Sequence, residues 1–252
     1  MVEFVDVWGW FNRPLHQIGG GAQTAELRRL ITQHHTHWQI LETETDRAHA
    51  FFQQARETAT QLNAPCYALF FGLWCCETYI HYYADLDKAL DLATKLVVEA
   101  RKPHYKECPC LCWAYRTLAD VYSIVDAVGY ADKICETLDF IEREVPVDYD
   151  TYCLLDYRRA MVAFSLDNPA KACELAMSYL ARSEQSNFRK VDAYILLSRF
   201  NYALNNLDNV QQYAVLTELY ANQRNRINSL VEAWAWQALV AQKKGQVDTA
   251  RQ

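Results

Sequence analysis

Leu166-Asp-Asn-Pro-Ala-Lys-Ala172 joins a turn signal to the start of an amphipathic helix, and the same grammar recurs along the chain. It returns at Tyr83-Ala-Asp-Leu-Asp-Lys-Ala89, Gly129-Tyr-Ala-Asp-Lys-Ile134, Asn205-Asn-Leu-Asp-Asn-Val210 and Gly245-Gln-Val-Asp-Thr-Ala250. The first small or aliphatic residue of each helix that is expected to be buried makes a natural anchor. These anchors are Ala89, Ile134, Ala172, Val210 and Ala250, and they stand 45, 38, 38 and 40 residues apart. Periods of this size belong to helical arrays, in which one hairpin cannot bury its own apolar face and must stack on the next. A second, aromatic-rich helix precedes each anchor, so every unit reads as helix A, turn, helix B.

Composition points the same way. The chain has 252 residues, 51% hydrophobic and 22% charged, enough apolar surface to offset chain entropy. Seven Gly and six Pro are too few for a sandwich or barrel, whose turns recur every few residues, so the expected class is all-α. Helices are expected over 23–41, 45–62, 65–83, 85–102, 108–128, 130–144, 149–166, 168–185, 187–204, 207–224 and 227–244, with one more starting at 246. Pro65, Pro103, Pro109, Pro146 and Pro169 fall at the joints, where a missing N–H does least harm. A net charge of −6 argues against direct nucleic-acid binding, which requires a surplus of Lys and Arg on one face. The longest apolar run, Cys66 to Cys76, is far shorter than the roughly 20 residues a bilayer needs, so no membrane span is expected. Glu3 and Asp6 precede the first basic residue, Arg13, which is unlike a secretory signal, and a cytoplasmic protein is expected.

The last unit places Trp234, Ala238, Ala241, Gly245 and Ala250 at offsets of 4, 7, 11 and 16 from the Trp, and in this it resembles the tetratricopeptide (TPR) motif. The unit before it offers Tyr194, Leu197, Ser198, Asn201, Asn205 and Val210 on the same frame, and the one before that Ala160, Ala163, Asp167 and Ala172. Tyr115, Leu118, Ala119 and Tyr122 repeat the core of helix A, but the route from there to Ile134 is about one helical turn too long. The resemblance implies a right-handed α-solenoid over residues 23–252, with 1–22 as an N-terminal arm or cap containing Trp8, Trp10 and Phe11. The stretch from Arg224 to Gly245 is also similar to the degenerate TPR array of large ATP-dependent LuxR-type regulators. No phosphate loop and no helix-turn-helix accompanies it, so that resemblance implies at most an effector-sensing role. The final helix B reaches only Gln252, which leaves the face of Trp234 and Trp236 uncovered. A longer array, a partner or a second copy is expected to cover that C-terminal edge.

Local chemistry is sparse. His34-His-Thr-His37 puts His34 and His37 at i, i+3, but no carboxylate or Cys stands at the matching i+4 or i+7 positions; a solvated helix face is expected, and no metal. The nine Cys are read as reduced core thiols, including Cys108-Pro-Cys-Leu-Cys112 beside Trp113, with a redox-sensitive pair as the alternative. No local motif of a nucleophilic, metallo- or isoprenoid enzyme occurs, so neither catalysis nor a cofactor is expected, and an all-helical enzyme with a motif-less Cys/His site is the rival reading.

The TPR resemblance implies that helices A line a concave groove. Its frame directs Trp74, Thr78 and His81 inward, with Tyr82 beside them, then Tyr157, Met161 and Phe164, then Ile195, Arg199 and Tyr202, then Ala235, Leu239 and Gln242. Trp74, His81, Tyr82, Tyr157, Phe164, Arg199 and Tyr202 are the expected contacts to a protein or peptide partner, because Tyr and Arg on a rigid surface give large area and strong hydrogen bonds.

Overall fold

The computed structural model describes residues 3–12 and 22–246. Among them are twelve α-helices: α1 (Val7–Asn12), α2 (Ala22–Gln39), α3 (Thr45–Gln61), α4 (Pro65–His81), α5 (Leu86–Ala100), α6 (Leu111–Asp126), α7 (Ala131–Glu144), α8 (Tyr149–Ser165), α9 (Pro169–Arg182), α10 (Asn187–Ala203), α11 (Leu207–Asn222) and α12 (Ile227–Lys243). No strand occurs among the described residues, and no helix is long and apolar enough to cross a membrane. Eleven of these helices match the expected ranges to within a few residues at each end. The helix expected from 246, with its anchor Ala250, lies outside the described residues, and so does Gly19-Gly20-Gly21.

The chain forms two compact units, Met1–Thr151 and Tyr152–Gln252. In the first, α2 to α7 each pack on their neighbours in sequence, and α4 also packs on α6. In the second, α9 to α12 do the same, and α10 also packs on α12. Asp156 ties α8 to α9. Its buried carboxylate receives Arg182 Nε at 2.9 Å, Arg159 Nη1 at 3.2 Å and the Ser178 hydroxyl at 2.5 Å, so the charge is paired and hydrogen-bonded rather than stranded.

One regularity sets the spacing between helices. The second helix of each hairpin turns a pair of fully buried residues four apart toward its neighbours, and most are alanines: Ala55 and Ala59, Ala89 and Ala93, Ala172 and Ala176, Val210 and Ala214. A side chain of one carbon lets backbones come close and leaves larger residues on the facing helix to fill the gap. Gly72 on α4 carries the principle further, because a Cβ there would lie 2.6 Å from Leu96 Cδ2 on α5. The exception is α7, where Ile134 and Leu138 hold the two positions. Its connection, 127–130, is no longer than 82–85 between α4 and α5 and is closed by the Asp126 Oδ1 acceptor on the Gly129 N–H at 2.8 Å. Other joints carry a residue with positive φ, at Asn63, Ala84, Asp167, Asn205, Asn225 and Gly245.

The expectation of nine reduced thiols is corrected at Cys66 and Cys108, which form a disulfide across a Cα separation of 5.2 Å. The cause is the repeat itself. The two cysteines are 42 residues apart, about one period, so stacking α6 on α4 brings the starts of two successive first helices side by side.

Replacing Ala176 by Leu is expected to lower unfolding stability by about 1–3 kcal/mol through overpacking, whereas Leu138→Ala should lose about 2–5 kcal/mol through a cavity. Urea titrations check both, and tolerance of the larger residue at 176 would remove the close-approach argument. Reduction with dithiothreitol should lower stability by up to about 4 kcal/mol, the loop-closure value for a bridge of this length. The same titration, run with and without reductant and against Cys66→Ala, measures it.

Candidate functional site

The expected contact residues divide between the two units. On α4, Trp74 is half-buried, with its indole 5.7 Å from the Phe52 ring and 5.3 Å from the His34 ring. Thr78 is corrected: it is fully buried and faces α3, because its hydroxyl donates to the Cys75 carbonyl at 2.7 Å and accepts from His49 Nδ1 at 2.5 Å. His81 is exposed and ion-pairs with Glu77 Oε2 at 3.1 Å. Tyr82 is exposed and caps the end of α4, past the stripe that carries Trp74.

In the second unit the stripe is held by its neighbours and half open to water. Tyr157 meets Tyr179 edge-on at 5.5 Å and carries the Arg158 guanidinium over its face at 5.1 Å. Phe164 on α8 lies 4.8 Å from Phe200 on α10. Arg199 Nη2 stands 3.6 Å from Glu232 on α12, and Tyr202 lies between the Trp236 ring at 5.4 Å and Lys243 Nζ at 5.2 Å. Met161, Ile195 and Leu239 are half-buried on the same helices, while Ala235 and Gln242 are exposed. Phe164 on α8 and Arg199 and Tyr202 on α10, the last two steadied from α12, therefore make one set of partly exposed rings and a cation.

The first unit also has two clefts on another side. One, of about 760 Å³, lies between α3 and α5 over α4; its charges are spent on one another, Arg56 on Glu99 at 3.3 Å and Lys95 on Asp91 at 2.6 Å. The other, of about 370 Å³, lies between α5 and α7 over α6 and is floored by Val97, Tyr115, Leu118 and Phe140.

The residue pairs that could suggest catalysis are structural. His49 and Thr78 are buried, and the Thr78 proton is committed to a backbone carbonyl, so the hydroxyl is not activated. Burial pushes the Cys75 and Cys112 thiols up to about 12 and raises Cys76 and Cys110 as well, so none is a ready thiolate. The Cys108–Cys112 cluster separates three ways. Cys108 is in the disulfide, Cys110 Sγ points at the Cys66 carbonyl at 3.6 Å, and Cys112 Sγ at Asp148 Oδ2 at 3.3 Å. Burial works against the Asp148 charge, but the Thr151 N–H, the Arg116 guanidinium and the Thr151 and Trp113 side-chain donors outweigh it and hold the carboxyl below its usual range.

His34 is corrected as well. It is not on a solvated face but 1% exposed, with both ring nitrogens unpartnered, amid Phe11 at 4.9 Å, Phe70 and Trp74 at 5.3 Å and Phe52 at 5.9 Å. His37 instead stacks on Phe51 at 4.0 Å. The sequence expects an aromatic arm or cap without naming what its rings touch; in the structure Phe11 is fully buried against Phe70, and Trp8 reaches Trp113. Val7 and Phe11 at i, i+4 were the available signal.

No protein-family model matches the chain, and no curated protein matches it. Among solved structures it is similar to the crystal structure of a variant of a Podosopora anserina protein described as a kinesin light chain with nearly identical TPR-like repeats. The TM-score is 0.60 at 14% sequence identity, over 79% of this chain and 97% of that one. At that identity the likeness speaks for the fold: the chain is an all-α solenoid of TPR-like helical hairpins.

Burial first, and then the neighbouring His35 and His37 charges, lower the His34 pKa to about 3, well below the value near 6.5 of an unfolded histidine. Between those two values the unfolded chain binds the extra proton, so stability is present above about pH 6.5 and is lost as pH falls. By pH 4.5 the expected loss is about 3 kcal/mol. Urea midpoints measured from pH 7 to 4.5 should fall less steeply in His34→Phe than in the native chain; parallel curves would mean the ring is not buried neutral.

Proposed function

We propose that the chain is a non-enzymatic scaffold that binds a peptide segment or protein through the faces of its first-of-pair helices, as one part of a larger regulatory assembly. The observation that carries this reading is the set of half-exposed side chains Phe164, Arg199 and Tyr202, each already held by a neighbouring side chain. Rings and a guanidinium fixed before binding lose little rotamer freedom on contact, and this is what favours Tyr, Trp and Arg as binding anchors. A TPR-like array supports the reading, because it presents such side chains on rigid helices rather than on loops.

The C-terminal edge of the second unit is a further place for a partner or a second copy. In α10, Val191 is buried and Tyr194 meets Tyr213 and Tyr220 of α11 at 6.2 and 5.7 Å. One period later the equivalent Val231 and Trp234 on α12 are 56% and 51% exposed. Together with Ile227, at 71%, they make an apolar stripe at i, i+4 and i+7.

Affinity capture from the source cell with the native chain, a Tyr157→Ala/Arg199→Ala double variant and Val231→Glu reads both surfaces. The double variant is expected to lose the captured partner by about tenfold or more with its circular dichroism unchanged, as two anchor losses would produce. Val231→Glu should weaken only what the edge holds. Undiminished capture by the folded double variant would place the binding surface elsewhere.

A further inference from the structure

Residues 3–12 cross the face that α2, α4 and α6 present. The Val5 N–H donates to the Val147 carbonyl at 2.9 Å, and Phe4 meets Tyr149 edge-on at 5.5 Å. Asp6 Oδ1 accepts from the Gly9 N–H at 2.7 Å and so starts α1. From that single turn and a half, Phe11 stacks on Phe70 at 4.1 Å, and Trp8 lies 5.9 Å from Phe70 and 5.5 Å from Trp113. Trp10 tilts over Tyr67 at 4.9 Å, and Asn12 Oδ1 meets His35 Nε2 at 2.9 Å. Tyr67, Phe70 and Trp74 are one stripe of α4, at i, i+3 and i+7. The arm therefore sits on the stripe that carries Trp74, which the sequence assigns to ligand contact.

Its attachment is that of a bound peptide. The backbone hydrogen bond from Val5 to Val147 joins it to the rest of the unit, and the anchors described above are side-chain contacts. A six-residue helix is not stable alone, so α1 is ordered by the face it lies on. The sequence joining it to α2 contains Gly19-Gly20-Gly21. Trp8 stays 43% exposed while Phe11 and Val7 are buried, so the anchors are apolar residues at i and i+4 with an indole beside them.

We propose that the arm is a resident ligand: the α2–α4–α6 face is a docking site for short helical segments that present Val, Trp and Phe in the pattern of Val7, Trp8 and Phe11, and such a segment must displace the arm to bind. The proposal rests on the reading that first-of-pair helices dock peptides. The short tether holds the arm at an effective concentration on the order of mM, so a free peptide of equal intrinsic affinity competes poorly until the arm is weakened. The aromatic rings that make the arm fit also define which partners fit.

The probe is a fluorescein-labelled synthetic peptide of residues 3–12, titrated by anisotropy into the full-length native chain and into Phe11→Asp. The variant should bind it saturably and at least about tenfold more tightly than the native chain, whose own arm competes. The same peptide carrying Phe11→Ala should fail. A folded Phe11→Asp that ignores the peptide, or binds it no better than the native chain does, overturns the proposal. As a second measurement, a protease site placed at Gly19-Gly20-Gly21 of the otherwise native chain is cut after folding. Release of the arm on dilution with helicity retained supports displacement; an arm that leaves only when the unit unfolds is core, and overturns it. A concentration-dependent dimer that needs Phe11 would assign the face to a second copy's arm and overturn competition by a separate partner. None of these outcomes depends on the Tyr157 and Arg199 capture, so either idea can fail alone.

Discussion

Close approach of helices through one-carbon side chains is the constraint from which the rest of the structure follows. Where Ala55 and Ala59, Ala89 and Ala93, or Ala172 and Ala176 face a neighbouring helix, backbones draw together and the bulk of the core must come from the helix opposite. That explains why the first helices of the hairpins are so aromatic. In the first unit Phe70 and Phe71 on α4 are fully buried, and Phe52 on α3 joins them. The exception at α7 obeys the same rule in reverse. Ile134 and Leu138 fill more space from the second helix.

Filling the first helices with aromatic rings has an electrostatic consequence. His34 has no hydrogen-bond partner for either nitrogen because rings surround it, and a medium of rings gives no solvation to an imidazolium. The ring is thus tolerated only as the neutral species, and it packs as a flat apolar body against Phe11 and Phe70. Asp156 in the second unit is the contrasting case. A buried carboxylate there is met by two guanidinium groups and a hydroxyl, so the charge remains. The chain thus buries ionisable groups by both means, denying the charge at His34 and pairing it at Asp156 as at Asp148.

Helix boundaries, the period and the buried anchors Ala89, Ile134, Ala172 and Val210 were legible because each depends on residues adjacent in sequence. What was not legible depends on which residues stacking brings together. Cys66 and Cys108 fall into register only when α6 lies on α4, although a spacing of one period was the clue. Thr78 belongs to the predicted stripe by spacing, yet His49 on α3 draws it out of the open face. The His34 ring reads as solvated until an arm more than twenty residues away covers it with Phe11. Helix α1 offers the sequence one i, i+4 pair, Val7 and Phe11, and at six residues it is ordered by the surface it lies on.

That last dependence separates the two faces the chain offers. On α8 and α10 the rings of Phe164 and Tyr202 and the Arg199 guanidinium are steadied by neighbours within the array and stay partly open to water. On α2, α4 and α6 the corresponding rings, Phe70 above all, would be bare without residues 3–12, and an apolar face of that kind is a liability when left open. A surface built from Tyr and Arg can wait exposed for a partner, whereas one built from Phe and Trp requires a cover at all times. An arm carrying Phe and Trp of its own meets that requirement with the chemistry a partner would bring, so the composition of the face accounts for both the cover and the specificity of whatever replaces it.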